Sequence, residues 1–425
     1  MQNGSRALAA ALALSLASAA FAQQPAPAPT ATLSLRQAVA EAVLRNPNRV
    51  RAAHEVTAAG FERDAAEWGR FPTVSVDAGA GQSSNSIAPT STVRVEQPLW
   101  AGGRIDGQID SARAQVSAAE LAELDTRRRL AEEAAVAYVG WMDAAARVEI
   151  ARESAAALSD LVKYVRRREA EGLASAADVS IGRARYSSAL ALIEELGGAL
   201  DQARAQLEAL MVTRIERGIP VSVPAVAERS VADTEAAYVA NSQLVAQRRA
   251  EVESARAQAV VRRAALFPKL ALRFEHLTYP NNGGLTPSSD SRTLLVLQFT
   301  PDAGLASYSG AQAAESRIES VRAQLASDEN DARLRARANW AEYMSSGRQV
   351  AELEPQVAAL DASMASFMRQ FEAGRKSWLE LLNTQREVVD ARIALSRART
   401  SHDQSALRLM VNTGAFWPWL AQLPQ

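Results

Sequence analysis

The sequence predicts a mainly α fold with a small β part, built as a duplicated unit of one strand pair followed by one long helical hairpin. Three observations carry this. Motifs recur about 200 residues apart: Arg70-Phe71-Pro72 is echoed by Leu266-Phe267-Pro268, Gln97 with Ala101-Gly102-Gly103 by Gln298 with Asp302-Ala303-Gly304, and Ala170-Glu171-Gly172 by Glu372-Ala373-Gly374. After each strand pair comes a helical stretch of about 68 residues, holding at most one proline (Pro355), which at ~1.5 Å per residue would reach roughly 100 Å. Four short runs alternate apolar and polar residues, two in each half. A small sheet joined to helices of that length does not describe a compact domain. It describes a tube that crosses one membrane as β-structure and continues beyond it as α-structure.

The elements follow in order. Residues 1–22 read as an export signal, with Arg6 as the positive end, an uncharged apolar stretch from Ala7 to Ala20, and a small-x-small cleavage pattern at Ala20-Phe21-Ala22. Residues 23–32, rich in Pro and Ala, form a flexible leader. The first repeat spans 33–215. Its opening helix is capped at Ser34, carries Leu35, Val39, Val43 and Leu44 at helical spacing, and breaks at Asn46-Pro47 before resuming to Trp68. Strands are expected at about 71–82 and 91–100, with a polar loop from Gln82 to Thr90 between them. A linker follows at 216–230. The second repeat spans 231–414, with strands at about 267–279 and 291–300 around a loop from Tyr279 to Ser291, and a tail covers 415–425.

The outgoing helices run from about Arg104 to Glu171 and from about Ala306 to Ala373. The hairpin tips fall at about 171–178 and 373–380, where Gly172 and Gly374 supply the left-handed conformation that ends a helix. The returning helices keep a strict seven-residue row: Val179, Tyr186, Ile193, Leu200 and Leu207, matched by Leu381, Val388 and Leu395. The outgoing second helix has two such rows, Leu353, Leu360 and Phe367, and Val357, Met364 and Phe371. A period of seven means a left-handed coiled coil.

Composition excludes several function classes. The absence of cysteine rules out disulfides, thiolate metal sites, a Cys nucleophile and a lipid anchored on cysteine. The charge, 47 basic against 48 acidic residues, argues against a nucleic-acid partner. His54, His276 and His402 fall in different elements with no metal-ligand spacing, and no phosphate loop or nucleophile elbow is present, so neither enzyme activity nor a cofactor is expected.

Alternation over about ten residues fits outer-membrane barrel strands, and also a hairpin of a soluble sheet; export and the long flanking helices favour the barrel. Four strands leave two edges, and unsatisfied backbone groups in hydrocarbon cost several kcal/mol each. Other copies must therefore complete the cylinder. Two chains would give a barrel of eight strands with a filled interior, and three would give twelve and a lumen; a conducting tube favours three.

These residues resemble the TolC family of outer-membrane channel proteins, nearest its type I secretion members. The marks are Asn46-Pro47, Phe71-Pro72, Glu96-Gln97-Pro98-Leu99-Trp100 with Gly102-Gly103, the two-fold repeat, and the segment from Phe371 to Arg386 around the second tip. The resemblance implies a homotrimer with one barrel of twelve strands, four from each chain, in outer-membrane lipid. It also implies a periplasmic coiled-coil α-barrel whose entrance opens like an iris. The implied partners are a periplasmic adaptor and an inner-membrane transporter of the ABC or proton-driven type. It places Glu380 and Asn383 at the pore constriction, where three carboxylates would raise one another's pKa; the other reading of Glu380 is a helix residue favouring an N-terminus. It gives Asp178, Phe371, Lys376 and Arg399 as gate contacts. Phe371 stands where the family has a tyrosine paired with Asp178. Gly172, Leu173, Gly374, Arg375 and Ser377 would form the tip turns and meet the adaptor. Lys163, Arg166, Arg167 and Arg168 read as a solvated basic face. The expected function is the exit duct of a tripartite export system, with type I protein secretion favoured by the tip segment over small-molecule efflux. A structural envelope coiled coil is the reading of another class.

Overall fold

Each half begins at a capped short helix. The computed structural model describes residues 32–83, 86–227, 230–279, 288–300, 303 and 305–423. The export signal and all but the last residue of the leader lie outside them. Ser34 caps α1 (Leu35–Arg45) with a reciprocal box: its hydroxyl accepts from Gln37 N at 3.2 Å, and Gln37 Oε1 accepts from Ser34 N at 2.9 Å. Asn46 ends α1 and caps α2 (Pro47–Trp68), with Pro47 at a position where its missing N–H costs nothing. Then come β1 (Thr73–Ser83), β2 (Ser86–Trp100), α3 (Arg104–Ala170) and α4 (Ala176–Met211). The second half repeats this as α5 (Val231–Asn241), α6 (Gln243–Ala264), β3 (Lys269–Tyr279), β4 (Ser288–Gln298), α7 (Ala306–Glu372) and α8 (Trp378–Thr413). The duplication holds to the residue: 11, 22, 67 and 36 residues for the four helices of either half.

The long helices form lanes. Near the tips the neighbours run α7, α8, α3, α4; nearer the sheet they run α2, α3, α6, α7. The short helices therefore continue the lanes of the returning ones. Two side-chain bonds tie these joints: Asn46 Nδ2 donates to Leu210 O at 3.1 Å, and Asn241 Nδ2 to Thr413 O at 3.5 Å. Burial is uneven across the lanes. The central α3 buries a long series of residues, from Gly107 to Val165, whereas α7, at one side, buries seven, among them Ile318, Ala336, Tyr343 and Phe371. The main core lies where α1, α3, α4 and α8 meet, around Tyr138, Leu207, Met211 and Leu407.

The four strands form one antiparallel sheet in the order β1-β2-β3-β4, so β2 of the first half pairs with β3 of the second. The strands are longer toward the loops than alternation suggested. β1 runs to Ser83 and β2 starts at Ser86, so most of the expected loop from Gln82 to Thr90 is paired strand. β4 starts at Ser288 and ends at Gln298, three residues before and two residues short of the expected bounds. The reason is that ladder bonds belong to the backbone and persist where side chains no longer need to alternate. The middle of the second loop, residues 280–287, lies outside the described residues.

Two connecting segments are more ordered than their composition suggested. In the linker, Gly218 bridges Leu33, and Ile219 O and Leu33 O both accept from the Tyr138 hydroxyl at 2.7 Å. The tail holds α9 (Phe416–Leu420), whose Phe416 is wholly buried in the main core. Large apolar side chains, not helix propensity, place this segment.

Candidate functional site

Two regions gather the chain's distinctive side chains: the sheet and the hairpin tips. In the sheet, register sorts the side chains. One face carries Val74, Val76, Leu272, Phe274, Leu295 and Leu297, with Val74 and Leu297 each 68% exposed. The opposite face carries a cluster of charges. Arg94 sits opposite Glu275 and Glu96 opposite Arg273. Arg94 Nε donates to Glu275 Oε1 at 3.0 Å, Arg292 Nε to Glu275 Oε2 at 2.8 Å, and Arg273 Nε to Glu96 Oε2 at 2.8 Å. Asp77 lies 3.7 Å from Arg94. One face thus suits hydrocarbon and the other water, the arrangement of a barrel wall with a wet interior. No helix of the described residues is long and apolar enough to cross a membrane, a statement that leaves β-structure aside.

The tips are built by local rules. At the first, Leu173 N donates to Arg168 O at 2.7 Å and Gly172 N to Glu169 O at 2.9 Å, with Gly172 at φ +74°. At the second, Arg375 N donates to Gln370 O at 2.8 Å and Gly374 N to Phe371 O at 3.0 Å, with Gly374 at φ +70°. Both turns carry the long-range closing bond of a glycine-terminated helix. Each returning helix then opens with a capping box, Ser175 with Asp178 and Ser377 with Glu380. Leu173 projects outward, 63% exposed, and Arg375 is exposed at the matching position.

The remaining singled-out residues are engaged as follows. Glu380 accepts from Ser377 N at 3.1 Å and Ser377 Oγ at 2.8 Å, and pairs with Lys376 Nζ at 2.7 Å. The Lys376 ammonium, with the Ser377 hydroxyl and amide, pulls its carboxyl down to about 2. Within one chain the direction is therefore opposite to the rise that neighbouring carboxylates would impose. Lys376 also rests on the Phe367 ring, 4.2 Å from its centroid. Asn383 Oδ1 accepts from Arg185 Nη2 of α4 at 3.5 Å. Arg399 pairs with Glu354 on α7 at 2.7 Å, so in this chain it ties α8 to its own outgoing helix. Asp178 turns its carboxylate to Ser175, and Phe371 lies buried between Tyr164 and Trp378, at ring distances of 5.8 and 5.5 Å.

Two of the basic-run residues depart from a solvated face or bear on it. Lys163 pairs with Asp160 at 2.9 Å, as a surface charge does. Arg168 instead stacks over the Phe371 ring at 5.6 Å and donates to Phe371 O at 3.5 Å. Sequence reasoning also passed over Trp378 and Gly182, which touch across the two tips. The signal that could have found them is a tryptophan directly after a capping serine, where a solvent-facing side chain is usual. Among the described residues, no group of ligating side chains is placed to hold a metal ion.

The family model described as outer membrane efflux protein matches residues 38–212 and 237–415. No curated protein matches the chain at a significant level. Three solved structures are similar in fold. The structures of CusC, which show conformational changes accompanying folding and transmembrane channel formation, are 17% identical, with a TM-score of 0.79 over 89% of this chain and 91% of that one. The outer membrane protein VceC of Vibrio cholerae is 17% identical, with a TM-score of 0.74 over 90% of this chain and 96% of that one. The open state of the Neisseria gonorrhoeae outer membrane channel MtrE is 17% identical, with a TM-score of 0.70 over 90% and 89%.

Proposed function

The chain belongs to the outer membrane efflux protein family, and on that premise we propose that three copies form one duct, fed by a periplasmic adaptor and an inner-membrane transporter. As a member it is an outer-membrane transport channel that extends into the periplasm. The observation that carries the duct reading is the two-sided sheet: apolar on one face, charged on the other, with the outer edges of β1 and β4 unpaired among the described residues. Such a sheet is stable in a bilayer only when neighbouring copies pair its edges. The sparsely buried flank of α7 supports the same reading in the helical part.

For the cargo, we favour an unfolded protein delivered by a type I secretion machine. The support is the segment from Arg375 to Asn383, which resembles that branch of the family. Small-molecule efflux with a proton-driven pump is the second reading, favoured by the description of the matching family model as an efflux protein. Deleting the gene and assaying both secreted proteins and drug sensitivity separates them. Loss of one secreted protein with unchanged drug sensitivity supports secretion; the reverse supports efflux; an unchanged phenotype in both removes the duct assignment.

A further inference from the structure

Every Asp, Glu, Lys and Arg of the four strands lies on one face of the sheet, four acids and four bases. Six of them form one network. Asp77 of β1 lies 3.7 Å from Arg94 of β2, Arg94 Nε donates to Glu275 Oε1 of β3 at 3.0 Å, and Arg292 Nε of β4 donates to Glu275 Oε2 at 2.8 Å. One row of ion pairs thus crosses all four strands. Arg273 adds another guanidinium, 3.9 Å from Glu275, and donates to Glu96 at 2.8 Å. Glu275 is the hub, only 3% exposed on the wet face and set among three arginines. The two charges outside the network stand toward opposite ends of the sheet: Lys269 opens β3 opposite Gln298, and Asp290 lies opposite Leu277 near the loop. The network therefore leaves no excess of either sign in the middle of the face.

We propose that this network makes the barrel wall neutral toward passing cargo, with Glu275 as the residue that sets it, so that segments of either charge sign cross the sheet without being held. The proposal rests on the duct reading above, which turns the charged face toward the lumen. A lumen lined by charges of one sign concentrates the opposite sign, and conduction requires binding weak enough to release. Here the guanidiniums are answered by carboxylates on neighbouring strands, so their fields cancel a short distance from the wall. Removing the Glu275 charge would leave Arg292 without a carboxylate partner among the described residues, and Arg94 with only the more distant Asp77. In three copies that change adds three positive charges at one level of the lumen, a ring that would hold acidic segments.

The test uses the full-length protein in planar lipid bilayers, with Glu275→Gln and Arg292→Gln. The long helices are not apolar enough to cross the bilayer, so the chamber opposite the side of protein addition faces the barrel. Pentaglutamate or pentalysine is added there, and the reading is the concentration of each that halves the current, relative to wild type. In Glu275→Gln the value for pentaglutamate should fall about tenfold, because five screened attractions add, and the value for pentalysine should rise. Arg292→Gln should shift both values the other way. Wild-type values in Glu275→Gln, or shifts of the same sign in the two variants, overturn the neutral wall. If Glu275→Gln does not assemble, Arg292→Gln decides, and a pentalysine value equal to wild type overturns the proposal. A wild-type protein that never conducts removes the duct reading. A conducting wild type with unshifted variants leaves the duct standing and removes only the role of Glu275.

Discussion

At the scale of single residues, the state of the Glu380 carboxylate is set by its own hairpin tip. In the chain it completes a helix cap and pairs with Lys376, and both interactions favour its charged form, holding it at about 2. A depressed value means that the contribution to tip stability is present above the ordinary carboxylate value near 4.5, and is lost as the pH falls through about 2. The expected outcome is a tip that keeps its cap from neutral pH to below about pH 4. Measuring the Glu380 titration in the assembled channel checks this. A midpoint above the ordinary value would mean that like-charge repulsion between three copies outweighs the local cap.

At the scale of elements, the tips test the glycine argument directly. Gly374 has φ +70° and open space around it, so a methyl group there meets no neighbour and only the backbone resists it. Gly374→Ala should cost about 1 kcal/mol, the strain of a left-handed residue. Gly60, inside α2, also has open space but a helical backbone, and Gly60→Ala should stabilise by about 0.5–1 kcal/mol. Thermal unfolding of the two variants should therefore shift in opposite directions; shifts of the same sign would mean that side-chain contacts, not backbone conformation, decide at these sites. The long helices themselves owe their stability to neighbours in adjacent lanes. Their charges pair both within one helix, as in Arg128 with Glu132 at 3.2 Å, and between lanes, as in Arg248 with Asp328 at 2.7 Å and the exposed Arg113 with Glu67 at 3.0 Å. Pro355 sits within α7 without ending it, because a helix held along most of its length by packing can tolerate one missing bond.

At the scale of the whole molecule, the two faces of the sheet make a prediction that no soluble sheet shares. Leu297 points to the apolar face and Leu294 to the charged one, opposite Arg273. In lipid, Leu297→Arg should destabilise by roughly 2–4 kcal/mol if it lies near the bilayer midplane, while Leu294→Arg should cost well under half of that. Denaturant titrations of the protein folded into vesicles give both values. Equal costs would mean that the sheet does not stand in a membrane with its charged face toward water. The one-sided burial of α7 and the open edges at β1 and β4 belong to the same scale. In the proposed duct these are the surfaces that neighbouring copies would cover, so a stable monomer in lipid would be incompatible with the duct.

Periodicity alone determined the large features. The repeat offset, the seven-residue rows, the break at Asn46-Pro47 and the tip glycines were enough to place both 67-residue helices within a residue of their ends, because backbone geometry converts spacing into structure locally. Strand limits were less legible, since ladder pairing outlasts side-chain alternation at the polar ends. The ordered linker and the buried Phe416 were not legible either, since both depend on a surface supplied by α3. Trp378 is the clearest case of what tertiary structure alone decided. Its carbonyl partner at Asp178 and its floor at Gly182 lie about 200 residues away in the chain, and no local pattern encodes which distant backbone a buried indole will find.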